Sequence, residues 1–514
     1  MKTSTFQFFQ NTLGMNLRFN DVSLDAREAE EITNLHATTE GSWTSRNTGY
    51  IQLNETAVES GASITSLYEY VTLSGLKHII ASAGEKMLTL ETGSGTFTEI
   101  GDSLTDGETF CFVTFNGLLI GCNGSDTPQK WDGTGNIGNL DGWPPVISGV
   151  TPSNPSLCAT YINRVVFSGD SNNPSMLYIS EQENPENFTP GTGATAAGSI
   201  QVSPGDGQKI TALKSMYLPL ENEEVLVIFK ERSTYLMTGS DADTFAIQKL
   251  SDEFGAASQQ SVVLVGNELF FLTYEGITAL STATLQGNIT SSFISDKIRP
   301  QINTLNKTKL SESFAIHLRD RQEVWWVVAH GSSSENNLVL VFNYGMNRAW
   351  SRRTGIEAAC GLVADGRLYT GTYNGFVQEQ MKGHTYNGSA IPWLYKTPFY
   401  DLGTPRIRKR VKDIEVFLRQ VAQIDITVKT AWDIRRGGQD RQETTLSVVP
   451  DTSSSVYGTG IFGSDYYDVT GISILKFIPP GSGKFFQMEL SGNTPGKPVE
   501  IQGWSVTTMY GGFR

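Results

Sequence analysis

Short runs of β-branched and aromatic residues, each reversed by a pair of turn residues, recur along most of the chain. In SLYEYVTLSGLKHIIASA, from Ser66, Ser74-Gly75 separates two such runs, which predicts strand, tight turn, strand. ETFCFVTFNGLLIGC, from Glu108, is the clearest case. Its Asn116-Gly117 is a dipeptide favoured in type I′ hairpins, where both turn residues must accept positive φ. The same grammar returns around Asn163, between Glu221 and Glu223, at Gly266-Asn267, near Asp320-Arg321 and at Asp365-Gly366, with a further turn at Asn374-Gly375.

The seven hairpins begin near residues 66, 109, 156, 209, 260, 313 and 356, at intervals of 43 to 53 residues. Four-stranded propeller blades repeat every ~40–50 residues, so the chain is expected to be all-β, a β-propeller of six or seven blades. Outer strands carrying an aromatic are predicted near Trp131, Tyr178, Tyr235 and Trp350.

Beyond residue 382 the rhythm changes to longer strands of period two, from Val411, Ile424, Lys484 and Val499. Such alternation implies sheets with one wet face, and so an appended sandwich-like C-terminal domain. A short N-terminal helix is expected in SLDAREAEEITNLH, where Ser23 caps and Leu24, Ala29, Ile32 and Leu35 share a broad face. SDKIRPQINTLN, from Ser295, is a second helix candidate, broken or kinked by Pro300. The expected division is a docking segment over 1–60, the propeller over 61–382 and an antiparallel β domain over 383–514. PDTSSSVYGTGIFGSDYY, from Pro450, and PPGSGK, from Pro479, read as long exposed loops.

Composition sharpens this picture. Phe 26, Tyr 18, Trp 9 and Gly 52 suit pleated strands joined by tight turns. The 53 acidic residues outnumber 39 basic ones, for a net charge of −14, which disfavours ordinary binding to phosphate backbones. MKTSTFQFFQNTLG at the start has one lysine and no sustained apolar stretch, and no run approaches the ~18 apolar residues of a membrane span. The expectation is a soluble protein made in the cytoplasm.

No catalytic or cofactor signature emerges. Cys111, Cys122, Cys158 and Cys360 include no CxxC pair and lie in apolar runs, where cysteine acts as a small hydrophobe. His36, His78, His317, His330 and His384 are scattered singly, without metal-ligand spacing. Neither a GxSxG elbow nor a GxxxxGK[ST] loop occurs, and GTGN from Gly133 reads as a turn. SGDSNN, from Ser168, carries the oxygen chemistry of a calcium loop but reads first as a turn. A glycosidase carboxylate pair is defined by distance in space, so sequence spacing does not exclude it.

TPRIRKRVK places Arg406, Arg408, Lys409, Arg410 and Lys412 within one short stretch. It suits contact with an acidic neighbour or DNA phosphates, or else the solvated face of an edge strand, where such charges discourage unwanted pairing.

Two stretches resemble a known family. GMNLRFNDVSLDAREAEEITNL followed by EGSWTSRNTGY resembles the opening of tail nozzle or hub proteins of short-tailed phages, through Gly14, Asn16, Leu17 and Arg18, then Glu28, Ala29, Glu30 and Glu31, then Asn34, Arg46 and Gly49. NGLLIGCNGSDTPQKWDG, from Asn116 to Gly133, looks like the hairpin of the same family in which an Asn-Gly turn precedes a Pro-Gln-Lys-aromatic-Asp-Gly strand. The resemblance implies a virion protein assembled, usually as a hexamer, into the distal tail tube. It further implies docking to the tail adaptor and to fibre or spike proteins, with DNA passing through the lumen. Six copies would bring about −84 charges to such a ring, letting DNA slide. Arg18, Arg46, Arg406, Arg408, Lys409 and Arg410 are the expected subunit or partner contacts. No catalytic residue, metal or cofactor is expected. The alternatives are a carbohydrate-binding or glycoside-cleaving propeller, motivated by abundant Trp, Tyr, Asp and Glu, and a bacterial surface or scaffold propeller that binds another protein.

Overall fold

The structure is a computed structural model that describes residues 2–9, 11–19, 23–91, 96–218, 222–281, 293–420, 424–433, 442–448 and 472–510. Seven small antiparallel sheets follow one another over 64–101, 111–139, 157–201, 210–251, 262–279, 314–354 and 360–380, here blades 1 to 7. The first strand of each blade packs beside the first strand of the next, and Cys360–Ala364 of blade 7 returns to Ile64–Val71 of blade 1. That cycle defines a seven-bladed β-propeller.

Turn chemistry sets the blades. Asn116 and Gly117 both have positive φ, 47° and 77°, between Cys111–Phe115 and Leu118–Cys122, as a type I′ reversal requires. Asp365-Gly366 does the same in blade 7, with φ of 49° and 72°. The second strands are buried on both faces: Arg164–Ser168 and Glu323–Val328 are buried throughout. This explains their continuous apolar runs, since blades stack face to face. Separate apolar clusters fill the gaps between neighbouring blades, such as Phe167, Tyr178 and Trp143 between blades 2 and 3.

The ring is closed by a strand from the far end of the chain. Tyr50–Gln52 pairs antiparallel with Val377–Gln380 and forms the fourth strand of blade 7. N- and C-terminal segments thus share one blade, so the ring cannot open without breaking those pairings.

A second unit grows from blade 6. Its outer strand, Ala349–Thr354, is joined in parallel by Glu31–Thr33, and the sheet continues through Trp393–Lys396, Phe486–Gly492, Ile426–Trp432 and Gln442–Val448. Facing it is a sheet of Ile472–Phe477, Arg410–Gln420, Val499–Tyr510, Trp43–Thr44 and His36–Ala37, with Lys2–Phe9 also paired to Val499–Tyr510. Val416, Leu418 and Trp504 meet Tyr395, Leu490 and Val428 in the core between these sheets. Residues 1–60 are therefore distributed between the ring and the sandwich.

The helix expected over Ser23 to His36 does not form. Glu28–Ala29 pairs with Gly14–Met15, and Glu31–Thr33 is inserted between two other strands. Ala29, Ile32 and Leu35 are fully buried, while Glu30 meets Lys396 at 2.6 Å and Glu31 pairs with Arg352. A helix this short is marginal alone, and extended partners on both sides outweigh its propensity. The second candidate does form, as the short helix Arg299–Asn303 with Pro300 in its first turn, where proline is tolerated.

Candidate functional site

The basic stretch leads into Arg410–Gln420, an interior strand of the sandwich flanked by Ile472–Phe477 and Val499–Tyr510, not the edge strand considered above. A bulge between Val411 and Asp413 shifts the alternation, so that Val411, Ile414, Val416 and Leu418 all face the core. Arg406, Arg408 and Arg410 are left exposed. Arg408 donates to the Ser482 carbonyl at 2.6 Å.

Lys409 behaves differently. Only 1% exposed, it donates to the carbonyls of Asp401 and Thr404 at 2.5 Å and of Lys484 at 3.1 Å. Burial lowers its pKa, opposed by Asp401 and Asp433. Its ammonium is spent on fastening the 401–409 loop, so the expected partner contact at Lys409 is corrected to an internal tie.

Arg18 is exposed and pairs with Asp296 at 3.2 Å, and Arg46 is half-buried beside His384. The other residues carrying the family resemblance are packing residues. Gly14 has φ of +72°, and a Cβ there would stand 2.5 Å from the Trp350 nitrogen. Asn16 donates to Glu28 at 2.9 Å. Asn34, fully buried, donates to the Pro392 carbonyl at 2.7 Å and accepts from the Thr354 N–H at 2.9 Å, which ties blade 6 to the sandwich. A Cβ on Gly49 would lie 2.2 Å from the Thr385 carbonyl oxygen, so glycine is required where the closing strand begins. In the second matched stretch Trp131 is buried, and Lys130 pairs with Asp141 at 2.8 Å and with Glu186.

Asp170 of the SGDSNN turn is buried and accepts from the Asn173 side chain and the Asn172 N–H, both at 2.8 Å, and from the Ser153 and Tyr178 hydroxyls. Burial works to raise its pKa, yet these hydrogen bonds outweigh it and hold the carboxyl below its ordinary value. Its acceptors are occupied by the protein, a turn and not an ion cradle. No group of three or more metal-ligating side chains is placed for a metal ion among the described residues.

Three of the four cysteines come together. Cys111 is the cross-strand partner of Cys122, and its Sγ lies 3.3 Å from that of Cys158 in the next blade. All four thiols are free. A signal existed: Cys111 and Cys158 stand one blade interval apart, so a repeat superimposes them on adjacent first strands.

No protein-family model matches the chain, and no curated protein matches it. Solved structures similar to it include the Dos1 propeller, with 10% identity over 66% of this chain and 97% of that one and a TM-score of 0.42. YCF48 from Cyanidioschyzon merolae shows 9% identity, 65% and 98% coverage and a TM-score of 0.40. The computationally designed Ika8 protein shows 12% identity, 64% and 99% coverage and a TM-score of 0.37. The likeness is loose, and the propeller is defined by this chain's own strand pairings.

Proposed function

We propose that this chain is a structural virion protein of the short-tailed phage type, a subunit of an oligomeric ring forming the distal tail tube through which DNA leaves. The reading rests on the two stretches resembling tail nozzle or hub proteins, and it assigns the chain no catalytic step. Assembly is favoured by an apolar row across the sandwich surface. Phe9, Phe417 and Ile474 stand in register across neighbouring strands with Gly503 between them, Phe9 being 44% and Ile474 51% exposed. Phe9 and Phe417 already touch, with ring centroids 5.3 Å apart. Apolar side chains aligned on a sheet face suit burial against another subunit. A ring needs a heterologous contact that closes, and the exposed Arg406 and Arg408 offer charge to an acidic neighbouring copy or adaptor.

Electron microscopy and mass photometry of the purified protein test this. Closed rings are expected, and Ile474→Asp should return them to folded monomers. A protein that stays monomeric alone and with adaptor subunits would overturn the reading, and release of sugars from glycans would favour the carbohydrate-active alternative.

A further inference from the structure

A cavity of about 590 Å³ opens between blades 6 and 7. Its charged lining reverses the balance of the whole chain. Arg319, Arg321, Arg367 and Lys382 face only Asp320 and Glu379. Glu379 is engaged by Lys382 at 2.8 Å and approached by Arg367 at 3.9 Å, whereas no ion pair joins Arg319 or Arg321 to a carboxylate among the described residues.

Two polar groups of blades 6 and 7 are shielded from the cavity and lack partners. Gln380 is 3% exposed, and its Oε1 accepts no hydrogen bond. Behind the lining, Arg353 is fully buried with Nε, Nη1 and Nη2 all unpartnered, its guanidinium 4.5 Å from the centre of the Trp325 ring. Burial pushes its pKa down to about 10, Glu323 opposes the shift, and Arg321 of the cavity wall adds to it. Arg319 and Arg321, which no ion pair joins to a carboxylate among the described residues, are the wall cations open to an entering oxyanion. Val363, Leu368 and Met381 supply an apolar wall.

We propose that this cavity binds a small phosphate ester. The phosphate oxygens lie against Arg321 and Arg319, whose forks suit bidentate contact. The carbon skeleton rests on Val363, Leu368 and Met381. The volume lies in the range of small-molecule sites and exceeds what a bare phosphate fills. This site stands independently of the virion reading.

Calorimetric titration of the full chain at fixed ionic strength provides the test, with ribose 5-phosphate, ribose, ribonate and inorganic phosphate as probes. Ribose 5-phosphate should bind most tightly, and Arg321→Gln should weaken it at least about tenfold, the scale of one charge-assisted hydrogen bond. Arg319→Gln, at an exposed position, should weaken it similarly if Arg321→Gln fails to fold. Lys249→Gln in blade 4 should leave binding unchanged. Binding of ribose 5-phosphate weaker than about 1 mM would overturn the proposal. So would ribonate or inorganic phosphate binding as tightly, or an affinity unaffected by both arginine substitutions.

Discussion

The gap between blades 2 and 3 and the gap between blades 5 and 6 are built on one plan but end differently. The first closes on itself: Trp143, Phe167, Tyr178 and Phe188 form an aromatic cluster bounded by its two sheets. The second does not close. Leu272 and Ile277 of blade 5 and Trp326, Phe342 and Trp350 of blade 6 belong to the same cluster as Trp43, Tyr395, Val416 and Trp504 of the sandwich. A propeller repeat needs only its neighbours, whereas the blade 5/6 gap has become the root of a second unit. The two units therefore share one core and should unfold together.

Core truncation tests that contrast most strongly. Trp350→Ala is expected to cost about 3–5 kcal/mol and to lower hydrogen-exchange protection in both blade 6 and the sandwich. Phe167→Ala should cost a comparable amount while leaving protection in the sandwich intact. Equal, local losses for both would break the comparison.

Ring closure gives the next effect. Gly49→Ala forces a Cβ against the Thr385 carbonyl and should cost about 1–3 kcal/mol, read by denaturant unfolding. Gly75→Ala, at an open turn with φ of +86°, should cost less, through backbone strain alone.

Acid should act on the sandwich side. Burial, with Arg321 and Arg353 nearby, holds the pKa of His36 well below its ordinary 6.5. As pH falls through about 6.5 the unfolded chain takes the proton first, so stability present above that pH is lost below it. The slope reaches at most about 1.4 kcal/mol per pH unit for this group. Thermal melts from pH 7.5 down to about 5 should show this loss, and His36→Gln should flatten it.

The exposed arginines should give the smallest change. Arg406→Gln with Arg408→Gln is expected to shift stability by less than about 0.5 kcal/mol while slowing association with an acidic partner, measured by stopped flow at low salt. Lys409→Gln should destabilise the fold instead, because that ammonium holds three carbonyls.

Legibility followed locality. The hairpin turns read from the chain reappear between two paired strands wherever they fall within the described residues, the one at Glu221 lying partly outside them, because Asn-Gly and Asp-Gly pairs and period-two alternation act within a few residues. Glu28 to Leu35 was misread because Ala29, Ile32 and Leu35 fit a helical stripe as well as a strand buried on both faces, and only Arg352, Lys396 and Gln487, far along the chain, decide between them. Of the six basic residues singled out, Arg406, Arg408 and Arg410 share an exposed stretch, whereas Lys409 turns inward because the Gly483 backbone pairs beside it. The cavity between blades 6 and 7 joins Arg319 and Arg321 to Arg367 and Lys382, which blade stacking alone makes neighbours.

By itself, then, the amino-acid sequence determined an all-β chain of hairpins at blade spacing, since strand and turn preferences are local. The tertiary structure decided how many blades close, that Tyr50–Gln52 closes them, and that the sandwich draws strands from both ends of the chain. Those outcomes depend on pairings hundreds of residues apart, whose free energy comes from burial that no local pattern encodes.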